Sequence, residues 1–92
     1  MLIKVGDELD HHVTEGLKKQ IDEAIEKSNI SNVAFDFSET RFMDSSGVGL
    51  LMGRYKKIMR NGGYISIVGS NQAIDRILRI SGIYKIVRME NV

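Results

Sequence analysis

The residues best placed to do chemistry are Asp44, Ser45 and Ser46, followed by glycines at 47, 49 and 53. An apolar run, Val33 to Phe37, leads toward this triplet and an amphipathic segment leaves it. The three side chains therefore stand where the first amides of a helix lack intrahelical partners, and an oxygen from any of them can cap those amides. A glycine inside a helix costs roughly 1 kcal/mol relative to alanine. Placing Gly47, Gly49 and Gly53 within two turns implies that the backbone is approached closely there. We read the stretch from Arg41 to Leu51 as the functional site.

Several chemistries fit this site poorly. A serine hydrolase wants Gly-x-Ser-x-Gly with a histidine base and an orienting acid, but Ser46 is preceded at two residues by Asp44. His11 and His12 lie ahead of the first helix, with no evident way to meet the serines. They also make a poor metal site, because adjacent helical positions diverge and no third ligand sits at a suitable spacing. Gly47-x-Gly49-x-x-x-Gly53 matches neither the phosphate-cradling loop nor the dinucleotide fingerprint. Asp36 and Asp44 alone are thin material for an acidic phosphoacceptor pocket. What remains is a serine offered at a helix start beside an aspartate, a suitable substrate for a kinase. Phosphate there adds about −1.5 to −2 charges, which helix amides accept while Asp44 opposes them. The two effects nearly cancel within the domain, so modification is expected to alter binding and not the fold.

The remaining composition narrows the class. Ninety-two residues make one domain, and 42% apolar content is that of a globular chain. With 13 basic and 12 acidic residues the formal charge is +1, which gives no electrostatic case for nucleic acid or an anionic membrane. There is no cysteine, so disulfides and thiolate metal sites are excluded. The start of the chain is charged too early for a signal peptide, and no apolar run approaches a membrane span. A soluble, cytoplasmic protein without a cofactor is expected.

The elements that position the triplet follow from periodicity. Leu2 to Val5 reads as a strand ended by Gly6-Asp7, and Glu8 to His12 as a polar turn. Val13, Leu17, Ile21, Ala24 and Ile25 form a helical stripe that starts between Asp10 and Thr14 and frays at Ser28-Asn29. Asp10 either caps this helix or makes an outside contact. Val33 to Phe37 alternates as a central strand. Val48, Leu51, Met52, Tyr55, Ile58 and Met59 predict the inward face of a second helix, with Arg54, Lys56, Lys57 and Arg60 on a solvated basic face and Asn61-Gly62-Gly63 as its stop. Tyr64 to Val68 is a strand. Ser70 or Asn71 caps a third helix with Ala73, Ile74, Ile77 and Leu78 inward, and Ile83 to Met89 is a last strand. The order β-α-β-α-β-α-β, with short connections, predicts an α/β domain with a mostly parallel or mixed curved sheet of about four strands carrying three helices. In such folds, sites gather beyond the carboxyl ends of strands, where the Asp44-Ser45 turn lies.

Phe42 to Gly49, together with Glu8-Leu9-Asp10-His11-His12 upstream, Gly53-Arg54-Tyr55-Lys56, and Ser81 to Val87 downstream, resembles the STAS-domain anti-sigma factor antagonists of the sporulation type. The resemblance spans nearly the whole of residues 1–92. It implies a regulatory binding module and not an enzyme. The unmodified antagonist binds an anti-sigma factor that is also a serine kinase, which frees a sigma factor, and a serine phosphatase reverses the kinase's mark. Carried onto this chain, the resemblance makes Ser45 the phosphate acceptor, Asp44, Ser46 and Gly47 the residues that shape its loop, and Asp10 a partner contact. Family members usually carry one more strand before Leu2 and one more helix after Met89, and without them an exposed sheet edge would invite pairing with a second copy. Otherwise a monomer is expected. The family's glycine before Glu-Leu-Asp is replaced by Asp7, with Gly6 one place earlier, and Gln72 stands where proline is common. The alternative is a STAS module that senses a small ligand or nucleotide, or that scaffolds a stress-signalling assembly.

Overall fold

The structure, a computed structural model, describes residues 1–90. Their elements run β1 (Leu2–Lys4), β2 (Glu8–Leu9), α1 (His11–Ser28), β3 (Asn32–Asp36), β4 (Phe42–Met43), α2 (Ser45–Arg60), β5 (Tyr64–Gly69), α3 (Gln72–Ser81), a 3-10 turn over Ile83–Lys85, and β6 (Arg88–Met89). The main sheet has four parallel strands in the order β1-β3-β5-β6. The α/β architecture expected from the sequence, three helices on a parallel four-stranded sheet, is the one observed.

Alternation explains the central strand. Val33, Phe35 and Phe37 are buried while Ala34 and Asp36 are half-exposed, and the Phe35 and Phe37 rings stack with centroids 5.9 Å apart. Ile65 and Ile67 of β5 continue the same layer, and Ile74 and Leu78 of α3 are fully buried against the core. Each such side chain contributes about 1.5–3 kcal/mol by leaving water. Asn71 is the cap of α3, accepting from the Ile74 amide at 3.0 Å. Ala73, expected inside, is exposed.

Four expectations need correction. Ile83 to Met89 is not one strand: Gly82, in the left-handed region at φ +79°, starts a 3-10 turn, and only Arg88 and Met89 pair with β5. Ile83 and Val87 are both buried, and a spacing of four suits a turn while an uninterrupted strand would put Lys85 on their face. The inward stripe of α1 is Thr14, Ile21 and Ile25, spaced seven and four, and Val13 is 37% exposed. The inward stripe of α2 is Gly47, Leu50, Leu51, Arg54 and Ile58, leaving Met52 and Met59 exposed. Arg54 therefore does not belong to a solvated basic face. It is buried, with Nε 3.2 Å from Asp22 Oδ1 of α1, and Lys57 Nζ reaches the same oxygen at 3.2 Å. A buried guanidinium without such a partner would be strongly destabilising.

Helix α2 stops as expected, but Gly62 and not Asn61 takes the positive φ, +75°. Gly63 next to it is required by proximity, since a Cβ there would run into the Ser31 carbonyl.

Candidate functional site

The segment from Glu8 to His12, expected to be a plain turn, contains a strand. β2 pairs in parallel with β4, Glu8 opposite Phe42 and Leu9 opposite Met43, as a separate two-stranded sheet. The Asp44 amide extends the ladder to the Leu9 carbonyl at 3.3 Å. One residue further along each strand stand Asp10 and Asp44, so α1 and α2 begin side by side. Both aspartates are helix caps. Asp10 Oδ1 accepts from the Val13 amide at 3.0 Å, and Asp44 Oδ1 accepts from the Ser46 amide at 2.9 Å. The structure thus brings the predicted residues Asp10, Asp44, Ser45, Ser46 and Gly47 to one end of a helix pair.

Their surroundings differ. Ser45, the first residue of α2, is exposed; Ser46 is half-buried; Gly47 is buried. A Cβ on Gly47 would lie 2.6 Å from Met43 Cγ and 3.0 Å from Leu9 Cδ2, so this glycine lets α2 sit directly on the small sheet. Gly49 and Gly53 answer to no such demand, since nothing in the fold lies within 4 Å of a Cβ placed on either. The close approach inferred for all three glycines holds within the fold only at Gly47.

Contacts that the sequence did not reveal hold the two loops together. Arg41 donates from Nε and Nη2 to the two oxygens of Asp7, each at 3.0 Å, and its amide donates to the Asp7 carbonyl at 2.7 Å. The hydrogen bond and charge of Arg41 hold the Asp7 carboxyl below its ordinary pKa. Thr40, fully buried, donates from Oγ1 to the Gly6 carbonyl at 2.6 Å. Asn71 donates from Nδ2 to the carbonyls of Phe37 (3.1 Å) and Thr40 (2.7 Å), fixing the start of α3 to the loop that leads into β4. A complementary Asp–Arg pair 34 residues apart carries no local signal, so only the fold exposes it.

His11 lines the same cleft as Ser46, against the expectation that the histidines could not meet the serines. The parallel start of α1 and α2 causes this. Among the described residues no hydrogen bond joins His11 to the side chain of either serine, and the Ser46 amide donates to Asp44 Oδ1. The site is built to present a hydroxyl at a helix start, with two carboxylates capping the amides beside it.

Comparison with known proteins agrees with this geometry. The STAS domain family model matches residues 1–92. An anti-sigma F factor antagonist from Paenibacillus polymyxa is 36% identical over 87 residues, covering 95% of this chain and 74% of the relative. Two solved structures of the anti-sigma factor antagonist SpoIIAA, one unphosphorylated and one phosphorylated (the latter described as a Bacillus cell fate determinant), superpose with TM-scores of 0.81 and 0.80 at 26% and 28% identity. They cover 99% of this chain, and 78% and 80% of their own. A parallel sheet carrying three helices, a capped serine at the head of α2 and a family match over the full length lead to one conclusion: the chain belongs to the STAS domain family, with anti-sigma factor antagonists among its relatives.

Proposed function

We propose that the protein is an anti-sigma factor antagonist that works by partner switching. Unphosphorylated, it binds an anti-sigma factor with serine kinase activity and so releases a sigma factor. Phosphorylation of Ser45 ends the binding, and a serine phosphatase restores it. The observation that carries this reading is the exposure of Ser45 at the first position of α2, next to its cap Asp44, in a chain whose relatives bear that name. A solved relative in a phosphorylated form adds support.

Electrostatics explains why such a mark would switch binding without unfolding the domain. A helix N-terminus favours an anion by about 0.3–1 kcal/mol, and a neighbouring like charge opposes it by a similar amount. A partner seated over Ser45 would have to bury the phosphate with Asp44 and Asp10 beside it, and desolvating that charge is far more costly. In this reading Asp10, Asp44, Ser46 and Gly47 form the contact surface around the acceptor, and the protein acts in the sporulating cell's cytoplasm without a cofactor.

The test is incubation with ATP and anti-sigma serine kinases, followed by mass mapping. Phosphate is expected on Ser45 and lost in Ser45→Ala, while Ser45→Asp is expected to lose the kinase as a binding partner. Phosphate elsewhere, or a Ser45→Asp variant that binds as firmly as the parent, would overturn the proposal. Tight nucleotide binding with no phosphotransfer would point instead to a sensor module.

A further inference from the structure

We infer that the cleft between α1 and α2 receives a carboxylate side chain of the anti-sigma partner, an inference that rests on the antagonist reading above. The cleft, of about 340 Å³, opens beside Ser46 and is lined by Thr14 and Lys18 of α1 and by Gly49, Gly53 and Arg54 of α2, with His11 and Glu15 also on the α1 side and Leu50 on the α2 side.

Three independent observations point to an incoming group. Thr14 is 7% exposed, and its Oγ1 is buried without a hydrogen-bond partner. A buried hydroxyl left unpaired is costly, and a helical threonine has two accessible χ1 rotamers, so this one can turn toward a visitor. Gly49 and Gly53, one turn apart on α2, have open space where a Cβ would stand. Alanine at either would suit the helix better, so folding gives no reason for them, whereas a side chain lying against α2 does. Ser46, the residue after Ser45, lines the cleft, which continues the contact surface proposed above.

Its chemistry favours an acceptor. Thr14 and Ser46 bring hydroxyls and Lys18 an ammonium group, while the charge of Arg54 is met by Asp22. Glu15 is the one acidic lining residue and excludes a second unpaired anion unless Lys18 balances it. One carboxylate therefore fits. Ser45 directly precedes the lining residue Ser46, so a phosphate on it would bring about −1.5 to −2 charges close to the incoming carboxylate, and the two repel one another. The switch then works by like-charge repulsion at the head of α2.

Calorimetric titration with the anti-sigma F factor of Paenibacillus polymyxa tests this. The parent is expected to bind. Thr14→Val, Lys18→Glu and the double variant Gly49→Ala/Gly53→Ala are each expected to lose about tenfold or more in affinity, the size of one lost charge-assisted contact. Thr14→Val and the glycine double variant should keep or raise the melting temperature, which separates lost docking from lost folding. If the parent binds and these variants bind equally well, the cleft inference falls and the antagonist reading stands. If the parent itself fails to bind, both fall. Shifts of the Thr14 and Gly49 amide resonances with free glutamate, in variants whose partner affinity is unchanged, would assign the cleft to a small molecule and overturn the partner assignment.

Discussion

Gly47→Ala probes the joint on which the whole site rests. The added methyl would meet Met43 Cγ at 2.6 Å, Leu9 Cδ2 at 3.0 Å and Leu9 Cγ at 3.2 Å. Leu9 is fully buried and Met43 is 5% exposed, so neither can swing into solvent, and the Met43 atom struck is not the free end of its chain. Overpacking of this kind costs about 1–3 kcal/mol. Better helix propensity returns up to about 1 kcal/mol, less in a first turn than in a helix interior. The net loss is about 1–2 kcal/mol, which for a domain of this size lowers the melting temperature by about 5–15 °C. Gly16→Ala is the matched control, because nothing lies within 4 Å of a Cβ there and α1 should only gain. Thermal unfolding followed by circular dichroism reads both. A Gly47→Ala protein as stable as the Gly16→Ala protein would show that α2 does not press on the β2–β4 pair, and the positioning of Ser45 argued from that contact would fail.

Three further expectations rest on other contacts. Asn71→Ala removes a helix cap worth about 1 kcal/mol and two carbonyl contacts of about 1 kcal/mol each, a loss of about 2–4 kcal/mol in urea unfolding. Asn71→Ser keeps an oxygen for the cap and should recover a part of it; an Asn71→Ser protein as stable as the parent would refute the tether to Phe37 and Thr40. In acid, Asp7 is held low by the hydrogen bond and charge of Arg41, Asp36 by the Ser38 hydroxyl and amide, and Asp75 by Arg79 and Tyr84. Depressed folded values bind fewer protons than the unfolded chain, so their stabilisation is complete above the ordinary 3.8 and is lost as pH falls through the lowered values; Arg41→Ala should flatten this slope, and an unchanged acid limb would count against the Asp7–Arg41 bridge. In alkali, burial and the hydrogen bond to Asp75 push Tyr84 up to about 12 from 10.0. Its stabilisation is complete below 10.0 and declines toward 12, and Tyr84→Phe should remove that decline in pH-dependent melting.

Some parts of this molecule could be read from the sequence because their signals are local. The alternation of Val33, Phe35 and Phe37, the cap of α3 (Asn71, of the two candidates Ser70 and Asn71) and the stop at Gly62-Gly63 each lie within a few residues of their effect. Strands β2 and β4 have two residues apiece, too few for any period to show, and each is defined by a partner 34 residues away. The phases of α1 and α2 are not legible in the sequence for a related reason. Met52 and Met59 are apolar but face out, whereas Thr14 and Arg54 are polar but face in, the arginine because Asp22 of the neighbouring helix meets it.

The same distinction divides the site. The helix start at Ser45 could be read from sequence because a cap, hydroxyls and a glycine in succession mark one, whereas the choice of Ser45 over Ser46 rests on the family resemblance. The place of Asp10 beside it could not, since only the register Leu9↔Met43 sets the two caps next to one another. The cleft depends on the same register: it forms where two helices start in parallel, with Thr14 on one and Gly49 and Gly53 on the other, and so leaves no local signal. A regulatory surface assembled this way is sensitive to the small sheet beneath it. Two residue pairs and one glycine contact set the relative depth of both helix starts, so a change in either strand would move Ser45 and the cleft together.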